Sequence, residues 1–311
     1  MKAQTMVPIY LHVGYPKTGT TTLQAHLFPK HPEIDYIGKY IPSLGYETPN
    51  IGYLINHIIS ANGMRFDREA CRSLKSILDE RRHSSQAKAI IISTESFLHV
   101  AGTDFDILAR RILDAFAPCR IMVSLREQVD LLLSFYRTHG KYGQYVFVHK
   151  EQSEPLSFPI SFDSWLDINM RTIDRNLPGI LYYGEVDLIL QNNFSSEDFK
   201  FFLYEEMRDD FEAYVGSLSR FLGIDAAMSW DILRGRHENP STLQNGQILD
   251  GRGESRLYLS PVLADAKHVA ADASIRLNPS RVAEIRALYA DSNRRLARHG
   301  HLALERYGYA L

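Results

Sequence analysis

The segment that most constrains this chain lies near its start. Pro8-Ile-Tyr-Leu-His-Val13 is an apolar run of strand length that ends at Gly14, and Gly14-Tyr-Pro-Lys-Thr-Gly-Thr-Thr-Thr22 follows it directly. Thr20 to Phe28 then places Leu23 and Leu27 on one helical face, and Pro29 stops the run. A strand, a glycine loop and a helix in immediate succession form the opening unit of an α/β fold. Gly14-x4-Gly19 followed by hydroxyl residues is also the skeleton of a phosphate-binding loop, which wraps an anion in backbone N–H groups and points a helix N-terminus at it. Lys2, Lys17 and Lys30 precede the first carboxylate, Glu33, so the local field favours an anion. The nucleotide-triphosphatase pattern places lysine directly after the second glycine, with Ser or Thr next to hold magnesium. Here Thr20 occupies the lysine slot, and Lys17 stands inside the loop, where it addresses a different atom of the ligand.

The rest of the N-terminal half repeats the alternation. Arg68 to His83 has a helical period through Cys71, Leu74, Ile77 and Leu78, and Lys88 to Ser93 is a continuous apolar run. Phe105, Leu108, Ile112 and Phe116 mark a second amphipathic helix, Arg120 to Leu125 a third strand, and Val129, Leu132, Leu133 and Tyr136 the helix behind it. Apolar strands separated by helices predict a parallel sheet with helices on both faces, a P-loop-type α/β fold. Further along, residues 140–165 read as a loop or lid, Lys200 to Tyr204 as a strand, and Tyr214, Leu218, Phe221 and Leu222 as one helix face. Residues 234–256 read as irregular, and Asn278-Pro279-Ser280 opens a last helix with Val282, Ile285, Leu288, Tyr289 and Leu296 on one side. With no internal repeat and no clear linker, residues 1–311 are expected to form a single domain, variable over about 40–85 and 140–195.

Composition narrows the function by exclusion. Thirty-five Lys and Arg against 37 Asp and Glu leave a net charge of −2, too balanced for a nucleic-acid coat or a polybasic membrane anchor. Cys71 and Cys119 are too few for a disulfide framework and lack metal-ligand spacing, so no metal site is expected. No apolar run approaches the ~18–20 residues of a membrane span, and the first residues lack signal-peptide character. The expected location is the cytoplasm.

A second motif starts at a predicted strand end. In Ser124-Leu-Arg-Glu-Gln-Val-Asp-Leu-Leu-Leu-Ser-Phe-Tyr136, Arg126 falls at the edge of the sheet, where open α/β sheets bind ligands, and Ser134 lies about two helical turns on. A guanidinium and a hydroxyl at that separation can close on one phosphate from two sides. Tyr15-Pro-Lys-Thr-Gly-Thr-Thr-Thr-Leu-Gln24 resembles the 5′-phosphosulfate loop of sulfotransferases that use 3′-phosphoadenosine 5′-phosphosulfate (PAPS), and Arg126 with Ser134 resembles that family's 3′-phosphate motif. Phe199 to Met207, the segment through Phe221-Leu-Gly-Ile224, and the C-terminal Leu288 to Tyr309 are also similar to family segments. The resemblance is closest to the bacterial carbohydrate-type enzymes.

The resemblance implies an enzyme that moves a sulfuryl group from PAPS to an acceptor hydroxyl, on a carbohydrate or glycolipid, without metal. It implies that Lys17 stabilises the leaving oxygen, and that Lys17, Thr18, Gly19, Thr20 and Thr21 bind the 5′ end. Arg126 and Ser134 are then implied to bind the 3′-phosphate. For the general base, Glu95 in Ile91-Ile-Ser-Thr-Glu-Ser-Phe97 stands just past a predicted strand end, the alternative being a carboxylate that orients Lys17 or Arg126. His57 and His99 are the other candidates. The carboxylate expected after His31-Pro-Glu-Ile34 and the Lys-x-His of steroid and phenol enzymes are both missing, which leaves the base and acceptor class open. Gly251 to Arg256 is the nearest candidate for a further 3′-phosphate contact, and Tyr36, Tyr40, Tyr46 and Tyr53, with Tyr142, Tyr145, Phe147 and Phe158, are the candidates for an acceptor pocket. Two other readings stay open: a kinase-like phosphotransferase, and a non-catalytic nucleotide-binding protein of the same fold.

Overall fold

The structure, a computed structural model, describes residues 6–38, 49–98, 105–136, 162–171, 192–195, 197–236, 242–244, 247–249 and 278–311. Its centre is a five-stranded, wholly parallel sheet. In chain order the strands are β1 (Ile9–His12), β2 (Ile34–Gly38), β3 (Ala89–Ser93), β4 (Cys119–Leu125) and β5 (Phe199–Leu203). Their spatial order is β2-β3-β1-β4-β5. The chain leaves β1 towards β2 and β3 on one side and later resumes on the other with β4 and β5. Crossovers therefore diverge at β1, and the loops after β1, β3 and β4 share one crevice at the carboxyl edge.

The strand side chains explain why both faces are covered. Ile9, Leu11 and Val13 of the first strand join Ile90, Ile92, Ile121, Val123, Leu125 and Phe201 in one core. The alternate residues Tyr10, Ala89, Ile91, Met122 and Phe202 form a second core on the opposite face. Helices α2 (Pro49–Ser60), α3 (Arg68–Ser84), α4 (Phe105–Phe116), α5 (Gln128–Phe135) and α6 (Phe162–Arg171) pack on the first core. On the second face lie Leu23, Leu27 and Phe28 and two later helices, α8 (Phe211–Leu222) and α9 (Ala226–Leu233). Between β5 and α8 runs the short α7 (Tyr204–Asp209). The last helix, α10 (Pro279–Gly300), returns to the first face through Ile285, Tyr289 and Leu296.

Local chemistry sets the helix ends. Asp67, Asp210 and Asp225 each cap a helix by accepting a backbone N–H, of Glu69, Ala213 and Met228 respectively. Such caps are each worth about 1 kcal/mol. Asn278 caps α10 with Pro279 behind it, as the sequence predicts. Gly223 ends α8 at φ 70°, a left-handed turn that a β-carbon would strain.

Several expectations change. Strand β2 escapes the sequence reading because it is an edge strand, half-exposed over Ile34 to Tyr36, so it lacks an apolar run. Of the stretch read as a loop or lid, the part from Phe162 belongs to α6, where Phe162 and Trp165 are buried beside Tyr136. Within 234–256, Thr242–Gln244 and Gln247–Leu249 pair as antiparallel strands β6 and β7. Leu288 does not join the inward face of α10 and is 43% exposed. Helix α9 carries no clear apolar period and is missed for that reason. No helix among the described residues is long and apolar enough to cross a membrane.

Candidate active site

The loop after β1 is held from both sides by its neighbours. Val13 N–H donates to the Met122 carbonyl and Tyr15 N–H to the Ser124 carbonyl, while Thr94 N–H donates to the His12 carbonyl. These bonds draw the exits of β3 and β4 against the exit of β1. Gly14 lies so close to the sheet that a β-carbon there would come 3.2 Å from His12, Ser124 and Thr20. Lys17 and Gly19 both adopt left-handed backbone, at φ 67° and 79°, which curls the loop back on itself. Lysine pays about 1–2 kcal/mol for that conformation, strain of the kind found where function fixes the backbone. Against Gly19, the next element leaves no room, since a β-carbon would come 2.8 Å from the Met207 sulfur of α7.

Helix α1 starts at Thr20 and covers Thr20–Thr22, and a π-helical turn, Leu23–Leu27, continues it. Its first residues carry no side-chain cap and no acid. The first amides of a helix have no intrahelical partner, so this end suits an anion. The Thr18 hydroxyl is turned inward, donating to the Tyr15 carbonyl at 2.6 Å. Thr20, one of the residues that the resemblance assigns to the 5′ end, donates its hydroxyl to a Glu95 carboxylate oxygen in a short hydrogen bond. Glu95 opens a 3-10 turn, Glu95–Leu98, two residues beyond β3. The base candidate from β3 and the loop from β1 are therefore in direct contact. Thr21 is half-buried in the same turn.

Arg126, from the end of β4, completes the group. Its Nη1 donates to the Lys17 carbonyl at 3.0 Å, and its guanidinium lies 4.4 Å from the Tyr204 ring centroid. The sequence predicts Arg126 at this edge, but the Tyr204 platform is visible only in the fold. Ser134, on α5, is half-buried. Behind Arg126 stand two buried acids that sequence reasoning missed. Glu205 accepts from the Glu127 N–H at 2.8 Å and from the Tyr309 hydroxyl at 3.3 Å. Glu127 caps α5 by accepting from Asp130 N–H. Burial pushes both carboxyls above their ordinary range, and for Glu205 the nearby Arg126 charge pulls partly the other way. Their signal in the sequence is only position, directly after strands β4 and β5.

The alternative bases separate on geometry. His57 accepts from Asp67 N–H at 2.9 Å and stacks on Phe66 and Tyr53, so it fastens the connection between α2 and α3. His99 and the Gly251–Arg256 segment lie outside the described residues, as do Tyr40, Tyr46, Tyr142, Tyr145, Phe147 and Phe158. Of the tyrosines named from sequence, Tyr53 is 70% exposed. Tyr36 packs against Phe28, and burial together with the Glu95 charge raises its phenol well above the ordinary range.

Against known families, residues 10–239 match the model of the sulfotransferase domain. The chain belongs to the sulfotransferase family. This sulfotransferase is similar in fold to the crystal structure of a sulfotransferase from Alicyclobacillus acidocaldarius, with a TM-score of 0.55 and 18% identity over 97% of this chain and 99% of that one. Mouse sulfotransferase SULT7A1, complexed with PAP, is matched at a TM-score of 0.48 and 15% identity, over 99% of this chain and 90% of that one. No curated protein sequence matches. The chain is an enzyme of sulfuryl transfer.

Proposed function

We propose that this sulfotransferase moves the sulfuryl group of PAPS to a hydroxyl of a carbohydrate or glycolipid, by in-line transfer without a metal ion. The observation that carries the reading is the hydrogen bond from Arg126 to the Lys17 carbonyl, which joins two cationic motifs 109 residues apart in the chain. Two such motifs meeting at one edge of the sheet suit a ligand with a phosphate at each end. The uncapped, acid-free start of α1 fits the 5′ side of that ligand. PAPS would supply an activated sulfate whose departure leaves negative charge on a phosphate oxygen.

Each residue then has a task. The amides of Thr18, Gly19, Thr20 and Thr21 bind the 5′-phosphate, and Lys17 supplies a compact positive charge for the leaving oxygen. Arg126 and Ser134 bind the 3′-phosphate. Glu95 takes the proton of the acceptor hydroxyl, and Thr20 orients the Glu95 carboxylate in place of binding phosphate with its side chain. The chain works as one unit over residues 1–311, in the cytoplasm, a location supported by two buried free thiols, Cys71 and Cys119. The test is transfer of radiolabelled sulfate from PAPS to a panel of carbohydrate and glycolipid acceptors, in the presence of a chelator. Labelled product from the wild-type protein, lost by several orders of magnitude in Lys17→Ala, is expected. Transfer only on adding magnesium, or full activity of Lys17→Ala, would refute the mechanism.

A further inference from the structure

Three neighbouring strands each carry a buried polar residue at or next to their carboxyl end. His12 on β1, Ser93 on β3 and Ser124 on β4 are 1%, 0% and 2% exposed. Burying polar side chains side by side is costly unless they bond to one another. Here they do. His12 Nδ1 lies 2.8 Å from Ser93 Oγ, and His12 Nε2 lies 2.8 Å from Ser124 Oγ. The Gln24 amide, from the helical turn after the loop, donates to Ser93 Oγ at 2.8 Å. His12 and Ser93 are direct register partners in the sheet.

The placement of this chain of bonds is what gives it meaning. Each strand-end residue stands two positions before a residue of the candidate site: His12 before Gly14, Ser93 before Glu95, and Ser124 before Arg126. Gly14 rests on the imidazole, since a β-carbon there would come 3.2 Å from His12 Nε2. We propose that His12 is a positioning residue, which couples the loop after β1, Glu95 and Arg126 through the chain Gln24–Ser93–His12–Ser124. The inference rests on reading those three elements as the donor site. Ser93 Oγ receives the Gln24 N–H and, in the chain of bonds we infer, gives its own proton to His12 Nδ1. The imidazole then carries its proton on Nε2 and donates it to Ser124 Oγ. One ring in one tautomer thus sets the spacing of three loop exits, and a shift there moves the groups that must close on the donor. A displacement of about 1 Å in such groups can cost on the order of 100-fold.

Two measurements test this. The first replaces the whole chain of bonds by apolar groups, in Gln24→Leu, His12→Leu, Ser93→Ala and Ser124→Ala combined. All four side chains of the chain of bonds are then apolar, so the fold is expected to keep its melting temperature. Affinity for adenosine 3′,5′-bisphosphate, by calorimetry, is expected to fall about ten-fold or more. Ser124→Ala alone, whose folding is checked by circular dichroism, gives the same readout should the combined variant fail to fold. Wild-type affinity in either folded variant overturns the inference while leaving the donor site intact. A wild-type protein that fails to bind the bisphosphate overturns the donor site itself, and this inference with it. The second measurement is imidazole nitrogen NMR of the wild-type protein. It is expected to show His12 with its proton on Nε2 and ring signals that move when the bisphosphate is added. Signals that ignore the ligand, or a proton on Nδ1, contradict the coupling as drawn.

Discussion

Replacing Arg126 by alanine separates the two phosphate ends of the proposed ligand. In the structure the guanidinium is half-buried, bonded to the Lys17 carbonyl at 3.0 Å and stacked 4.4 Å from the Tyr204 ring. It is therefore ordered before a ligand arrives, and little side-chain entropy is lost on binding. A charged hydrogen bond is worth about 1.5–3 kcal/mol and an exposed cation–π contact about 0.5–1 kcal/mol, but water replaces part of each at a half-exposed site. The folded protein should thus lose only about 1–2 kcal/mol. A guanidinium–phosphate pair is worth about 2–3 kcal/mol, which at about 1.4 kcal/mol per decade weakens adenosine 3′,5′-bisphosphate by roughly 30–150-fold. AMP lacks the 3′-phosphate and should feel only the loosened Lys17 carbonyl, about 1 kcal/mol or roughly five-fold. Calorimetry of both ligands against both proteins measures the two ratios. Equal losses would refute the assignment of Arg126 to the 3′ end.

Other substitutions probe the neighbouring groups. Glu95→Gln keeps an oxygen to accept from Thr20, so donor affinity should stay within about two-fold while transfer falls by roughly 100-fold or more; a matching fall in affinity would make Glu95 a structural residue. Glu205 has a folded-state carboxyl raised above its ordinary value of 4.5 by burial. Its contribution to stability is therefore full below that value and is lost as pH rises through the raised one. Thermal melts from pH 7 down to pH 5 should show a smaller acid loss for wild type than for Glu205→Gln, and superimposable profiles would contradict this. Tyr36 has a buried hydroxyl with no hydrogen-bond partner among the described residues. Removing a buried orphan relieves a cost of about 1–3 kcal/mol, so Tyr36→Phe should melt no lower than wild type. A clear drop would mean that the hydroxyl is bonded.

Much of this architecture is legible in the sequence because strands buried on both faces leave continuous apolar runs. Ala89 to Ser93 and Cys119 to Leu125 are of this kind, and both lie where they were predicted. Edge strand β2 carries no such run, since solvent covers part of it, and so it is hidden. The site divides in the same way. Lys17 and Arg126 are legible because each sits in a short motif of fixed spacing directly after a strand. The Tyr204 platform, the Glu205 contact with Glu127 and the His12 network depend on strands brought side by side, and no local spacing records them. Only their oddness shows in the sequence: a histidine and two serines at or next to the ends of largely apolar strands.

The proposed chemistry requires one crevice that recognises an adenosine bearing phosphate on both its 3′ and 5′ oxygens. Calorimetry of the wild-type protein with adenosine 3′,5′-bisphosphate, ATP and AMP, in magnesium-free buffer, tests this most directly. Tightest binding of the 3′,5′-bisphosphate, unchanged on adding magnesium, is the expected result. Preference for ATP, appearing only with magnesium, would contradict it.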